Sequence, residues 1–177
     1  GPMARNVEDL ALLFDAMCGE EPGDPVSKPR PQKSYLDQCR SGWKPKKVAF
    51  SRDLGITPVD PEVAKIVEAA ARRFEEAGVV VEEAHPDLSE AHECFQILRA
   101  LSFVTGMKPL LDTHRDKLKP EVIWNIEKGL ALTAGDIVKA DHQRAAMFQR
   151  TLDFFDSYDL LLCPATIVAP YPVEQRY

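Results

Sequence analysis

His85, His92, Glu93 and Cys94 lie close together and offer the imidazole, carboxylate and thiol donors that hold zinc. Two histidines seven residues apart share one side only if both are helical, and Pro86 directly after His85 works against that. They are therefore read as structural or surface histidines, and no metal is expected. Ser102, His114 and Asp116 have the residue types of a hydrolytic triad. No nucleophile elbow and no Gly-Gly-Ser run accompanies them, so no serine takes the nucleophile's role and no catalytic residue is assigned. Cys163, before Pro164, ends an apolar segment, where parallel sheets often place functional groups; its neighbours favour a buried thiol. Glu82 and Glu83 are adjacent and, on a strand, point to opposite faces, which rules out an acid/base pair.

Other fingerprints are missing too. Neither G-x-G-x-x-G nor G-x-x-x-x-G-K-[ST] occurs, so nucleotide binding has no motif, although Pro61 opens a helix whose N-terminus could face an anion. No cofactor is expected. The net charge of -6 is spread along the chain, which argues against nucleic acid as a partner. The one basic stretch, Lys28, Arg30, Lys33, Arg40, Lys44, Lys46 and Lys47, lies among prolines and reads as a solvated linker. With 45% hydrophobic and 28% charged residues the composition is that of a folded domain, and no apolar run approaches the ~20 residues that span a bilayer. Cys18, Cys39, Cys94 and Cys163 have no ligand-like spacing, so reduced thiols and a cytoplasmic setting are expected.

The elements that would position these groups follow from period and punctuation. Asn6 caps a first helix whose stripe is Val7, Leu10, Ala11, Phe14 and Met17, with Gly19 beyond its end. A Pro-rich connection over 20–46 leads to a strand at Lys47–Phe50. Asp60 and Pro61 start a helix with Val63, Ile66, Val67, Ala70 and Phe74 inward, and Ala77-Gly78 turns the chain into a strand at Val79–Glu83. Strand, helix and strand in this order predict a parallel βαβ unit. Helical pattern follows from Ser89 through Phe95, Leu98, Leu101, Phe103 and Val104, with a break expected near Gly106 and Pro109. Pro120 opens a helix through Val122, Ile123 and Ile126 that Gly129 ends or bends. Thr133 and Asp136 form a capping box for a long helix with Ile137, Ala140, Arg144, Phe148, Leu152 and Phe155 inward. Asp159–Cys163 is apolar through its middle and is expected deep in a sheet covered on both faces. The fold class is α/β, a mixed sheet with covering helices, as a single partial domain over 1–177.

Four stretches, in order, carry a resemblance. Gly1-Pro2-Met3-Ala4-Arg5-Asn6-Val7-Glu8-Asp9 is similar to the G-P-M-A-R-x-V-x-D segment of the amidase signature family. So are Lys47-Val48-Ala49-Phe50 with Asp53-Leu54-Gly55 and Val59-Asp60-Pro61-Glu62-Val63, then Ala77-Gly78-Val79-Val80-Val81-Glu82, then Tyr158 to Thr166. The resemblance implies the amidase signature fold and an amidohydrolase that cuts carboxamides to carboxylate and ammonia or amine through a Ser–cis-Ser–Lys triad. In the family that triad and its Gly/Ser-rich signature lie upstream of G-P-M-A-R, so the resemblance implies a segment that provides scaffold and pocket wall and is inactive alone. The two ends read as cut. Pocket lining is placed around Phe103–Leu111 and Pro120–Leu132, and the individual substrate-binding residues stay unknown.

At Glu121 to Gly129 no arginine stands where the A subunits of glutamine-using amidotransferases carry a basic run, which disfavours that alternative; Trp124 points instead to an apolar or aromatic amide. A non-catalytic binding or assembly module with an α/β fold is the other alternative. The expected partners are a small-molecule amide and, through apolar surface and sheet edges left open, further copies of the chain itself.

Overall fold

In the computed structural model, which describes residues 1–175, the chain forms two compact units, Gly1–Pro45 and Lys46–Tyr177. The first unit is a helical hairpin. Helix α1 spans Val7–Met17 and opens as expected, with the Asn6 side chain accepting from the Asp9 amide at 2.8 Å. Within the Pro-rich stretch, where no element is predicted, a short helix α2 forms at Tyr35–Arg40. Its free N-terminal amides explain why it can form there: Asp15 of α1 accepts from Tyr35 and Leu36 at 2.7 and 3.0 Å. Phe14 packs on Tyr35 with ring centroids 4.6 Å apart, and Arg40 forks onto Glu8. Of the predicted α1 stripe only Ala11 is buried, while Val7 and Met17 are 66% and 61% exposed.

The second unit starts with β1 (Lys47–Phe50), α3 (Pro61–Glu76) and β2 (Val80–Glu83), the predicted βαβ order. Asp60 caps α3 by accepting from the Glu62 amide at 2.8 Å, with Pro61 in the first turn. The helix ends in a Schellman turn: Val79 N–H reaches the Phe74 carbonyl at 3.0 Å, Gly78 N–H reaches that of Glu75 at 2.9 Å, and Gly78 has φ +81. Ala64 and Ala71 are the buried positions of α3, and Ile66 from the predicted stripe is 62% exposed.

Helix α4 runs unbroken over Ala91–His114 with Pro109 inside it, where a break was expected. Gly106 and Pro109 both lie on the exposed side, so the carbonyl that loses its partner at Pro109 faces solvent. A 3₁₀ turn, Arg115–Lys117, leads to α5 (Pro120–Leu130) and then α6 (Ala134–Phe155), whose Thr133–Asp136 capping box forms as predicted. Helix α4 packs against both α5 and α6, around Cys94, Ala100, Ile126 and Ala140. The inward face of α6 differs from the predicted one beyond Ala140. It continues through Gln143, Met147, Thr151 and Phe154, leaving Phe148 and Leu152 64% and 46% exposed.

Strand β3 is Leu160–Leu162. Among the described residues the sheet has the order β2-β1-β3 and both pairings are parallel. This corrects the place given to β3. The central, covered strand is β1, where Val48 and Ala49 are fully buried, and β3 lies at an edge with Leu160 still 36% exposed. An apolar sequence marks a strand without saying which neighbour it faces on each side.

Candidate functional site

The groups that suggested metal chemistry are each engaged elsewhere. The His85 ring packs against Gly55, where an added Cβ would meet its Cε1 at 2.6 Å, and its Nδ1 lies 2.9 Å from the Pro86 carbonyl. His92 Nε2 lies 2.9 Å from the Ile56 carbonyl. The two histidines thus brace the turn that follows β1, in which Leu54 and Gly55 both have positive φ. Glu93 pairs with Lys139 at 2.6 Å and accepts from Gln143 at 2.7 Å, which holds its carboxyl below the ordinary range. The buried Cys94 thiol donates to the Ala140 carbonyl. No group of three metal-ligating side chains forms among the described residues.

Ser102 lies on α4 three turns before His114, about 18 Å away at 1.5 Å per residue, so these two are not brought together. His114 Nδ1 instead lies 2.8 Å from the Thr113 hydroxyl. Glu82 and Glu83 take opposite faces as expected. Glu83 lines the α3 side with Arg52 and Glu68, while Glu82 meets Lys47 at 2.9 Å and accepts from the Tyr158 hydroxyl at 2.9 Å. Hydrogen bonds from Lys47 and Tyr158 keep the Glu82 carboxyl low, and those same contacts raise Lys47 and Tyr158.

Among the described residues, ligand chemistry fits the geometry at two places in the second unit. The first is the carboxyl edge of the sheet, where β1 and β3 end side by side. Ser51 is buried there: its amide donates to the Leu162 carbonyl at 2.9 Å, and its hydroxyl accepts from the Leu54 amide at 3.0 Å. Cys163 and Pro164 follow on the neighbouring strand, half-buried, and the tail ties back through Asp60 N–H to the Ile167 carbonyl at 2.8 Å. The crevice beyond the carboxyl ends of parallel strands is where α/β sheets most often bind ligands. The start of α3, weighed as an anion site, is filled by the Asp60 carboxylate.

The second place is a cleft of about 460 Å³ between α4 and α5, lined by Gln96, Arg99, Pro120, Glu121, Trp124 and Asn125. Its size suits a small organic molecule. Pro120, Glu121, Trp124 and Asn125, which fall within Pro120–Leu132, form its α5 wall. The Phe103–Leu111 stretch does not line this cleft; the α4 wall comes from Gln96 and Arg99, one to two turns earlier. Gly129 allows the two helices to approach, since a Cβ there would run into the Ala100 carbonyl. Asn125 is buried and steadies the wall by donating to the Glu121 carbonyl at 2.8 Å. Trp124 is 55% exposed, with the Lys128 ammonium 4.9 Å from its ring.

Comparison with known proteins places these features in context. The family model described as "Amidase" matches residues 1–177. An acylamidase from Rhodococcus erythropolis is 32% identical over 177 residues, covering 99% of this chain and 37% of the relative. The A subunit of a glutamyl-tRNA(Gln) amidotransferase from Pseudomonas syringae pv. syringae is 26% identical, over 94% of this chain and 40% of its own length. Among solved structures, a bacterial aryl acylamidase of the amidase signature enzymes superposes with a TM-score of 0.85 at 25% identity, covering 97% of this chain and 37% of that one. The chain therefore spans well under half the length of the relatives it matches. No helix among the described residues is long and apolar enough to cross a membrane.

Proposed function

The chain belongs to the amidase family, and from that premise we propose that it is a segment of an enzyme hydrolysing carboxamides to carboxylate and ammonia or amine. The observation that carries this reading is the agreement of fold along nearly the whole chain with an aryl acylamidase. In this reading the segment contributes the β2-β1-β3 sheet, its covering helices and one wall of the substrate pocket, the cleft between α4 and α5. The reacting groups, a Ser–cis-Ser–Lys set, are supplied by the parts of the relatives that this chain does not span. Of the serines weighed, Ser51 is committed to the β1 turn and Ser102 lies about 18 Å along α4 from His114. Trp124 and Pro120 would meet the apolar or aromatic portion of the amide, and the segment by itself is inactive. The reading includes a cytoplasmic setting, supported by four unpaired cysteines.

The test is a graft. Replacing the matching third of the bacterial aryl acylamidase with this chain is expected to give a hybrid that releases aniline from N-acyl anilides, while the isolated chain releases none. Turnover by the isolated chain would overturn the placement of the reacting groups, and a folded but inert hybrid would overturn the amidase reading. Glutamine-dependent transfer is the second reading, favoured by the amidotransferase relative. It is separated by assaying the same hybrid for ammonia release from glutamine, expected to be absent.

A further inference from the structure

The α4–α5 cleft carries one charge on each wall, Arg99 exposed on α4 and Glu121 on α5. Arg99 lies with its guanidinium carbon 5.7 Å from the Phe95 ring centroid and 5.5 Å from that of Phe103, one turn to either side on α4. Aromatic rings hold a guanidinium through its faces and leave the in-plane N–H fork directed outward. Among the described residues Arg99 makes neither an ion pair nor a hydrogen bond. Glu121, on the opposite wall, is half-buried and also lacks a cationic partner among the described residues. Opposite charges thus line one cleft without pairing with each other. Trp124 and Pro120 add apolar surface to the same cleft, and Lys128, whose ammonium lies 4.9 Å from the Trp124 ring, is bonded to Gln96 Oε1 at 3.0 Å. A ligand satisfying all three elements brings a carboxylate to the Arg99 fork, an N–H donor to Glu121 and an aromatic body to Trp124.

We propose that this cleft binds aromatic carboxylates bearing an adjacent N–H donor, the chemistry of an N-acyl aromatic amino acid, with Arg99 and Glu121 as the specificity-determining pair. As a statement about substrate class this rests on the amidase reading, whereas the binding itself does not. An amide of this kind carries its N–H and its carboxylate on one carbon beside the aromatic group, the three functions that Glu121, Arg99 and Trp124 can each engage. A neutral aryl amide with an N–H reaches Glu121 and the Trp124 wall but leaves Arg99 unused.

Three matched probes test it on the 177-residue chain: N-acetylphenylalanine, its C-terminal amide, which lacks the carboxylate, and 3-phenylpropionate, which lacks the N–H. Trp124 emission is read in a Trp43→Phe background, since Trp43 is exposed and is the other tryptophan, and calorimetry on the unaltered chain provides the same ranking. N-acetylphenylalanine is expected to bind saturably and the other two about tenfold more weakly, as loss of one charged hydrogen bond implies. Arg99→Gln should erase the preference over the C-terminal amide, and Glu121→Gln should narrow the preference over phenylpropionate. A flat titration, or equal affinities for the three probes on the unaltered chain, overturns the assignment whether or not the variants fold. An inert hybrid enzyme together with selective binding would instead leave the cleft standing and remove the amidase reading.

Discussion

Gly129 of α5 sits directly against the Ala100 backbone of α4, so close that a methyl group built on its Cα would collide with the Ala100 carbonyl and stand 2.5 Å from Val104 Cγ2. This contact sets the separation of the two helices whose outer rims form the cleft. Gly129→Ala should destabilise the chain by about 1–3 kcal/mol, because the obstacle is backbone and cannot rotate aside. Urea denaturation checks this, and an unchanged midpoint would mean that the helices part freely.

Asp159 ties the start of β1 to the start of β3 by accepting from the Lys46 and Lys47 amides at 2.7 and 3.1 Å. These two backbone bonds, that of Lys47 foremost, hold its carboxyl below the ordinary value of 3.8. A carboxyl lowered in the folded state contributes stability that is complete above the unfolded value and is lost as pH falls through the folded one. Stability should therefore decline below roughly pH 4. Asp159→Asn should flatten that decline in melts run from pH 6 to pH 2.5. An equally steep acid limb would assign it to other carboxylates.

Tyr158 and Lys47 produce the opposite limb. The Tyr158 hydroxyl donates to Glu82, which raises its pKa, and Lys47 is raised by its bond to the same carboxylate. For groups raised on folding, the contribution is complete below the unfolded values and is lost as pH climbs through the folded ones, above about pH 10. Tyr158→Phe should reduce the alkaline loss and, since Tyr158 also helps Lys47 hold the Glu82 carboxyl low, soften the acid limb as well, in melts run across both ranges.

Much of this architecture is written locally. Asn6, Asp60 with Pro61, Gly78, and Thr133 with Asp136 each announce a helix end or start, and all act as their types require. What escapes the sequence is decided by neighbours far along the chain. Helix α6 is apolar on two sides, and period alone cannot choose between the row ending in Phe155 and the row ending in Phe154. The row that turns inward is the one carrying Gln143, which packs toward α4 and reaches Glu93, fifty residues away. Helix α2 has too few residues to form from propensity and depends on Asp15. Of the candidate site, Trp124 stood out by type and Pro120 only as a helix start, whereas Arg99 is an ordinary charge in a helical pattern. Its only sequence signal is the pair of phenylalanines four residues to each side.

Asp15→Ala should unwind α2. Its carboxylate satisfies two of the amides that a helix start leaves open, and loss of such a cap costs roughly 1–2 kcal/mol, more than a six-residue helix can supply from within. Amide exchange at Tyr35 to Arg40 should accelerate toward unfolded rates while β1 stays protected. Retained protection would show that Phe14 and Tyr35 hold α2 by packing alone.

Self-association is the last consequence. On α1, Leu12, Leu13 and Met17 are 57%, 43% and 61% exposed, in addition to Val7, so apolar side chains emerge on more than one side of the helix. In the second unit β2 and β3 are both edges among the described residues, with Val80 54% exposed. Exposed apolar stripes and open strand edges favour contact between copies. Light scattering should give an apparent mass that rises with concentration, and a hydrophobic dye should bind. Replacing Leu12 and Met17 with Glu should lower both signals if α1 carries the contact and leave them unchanged if the sheet edges do. A dilution-stable monomer that excludes the dye would count against association by either route.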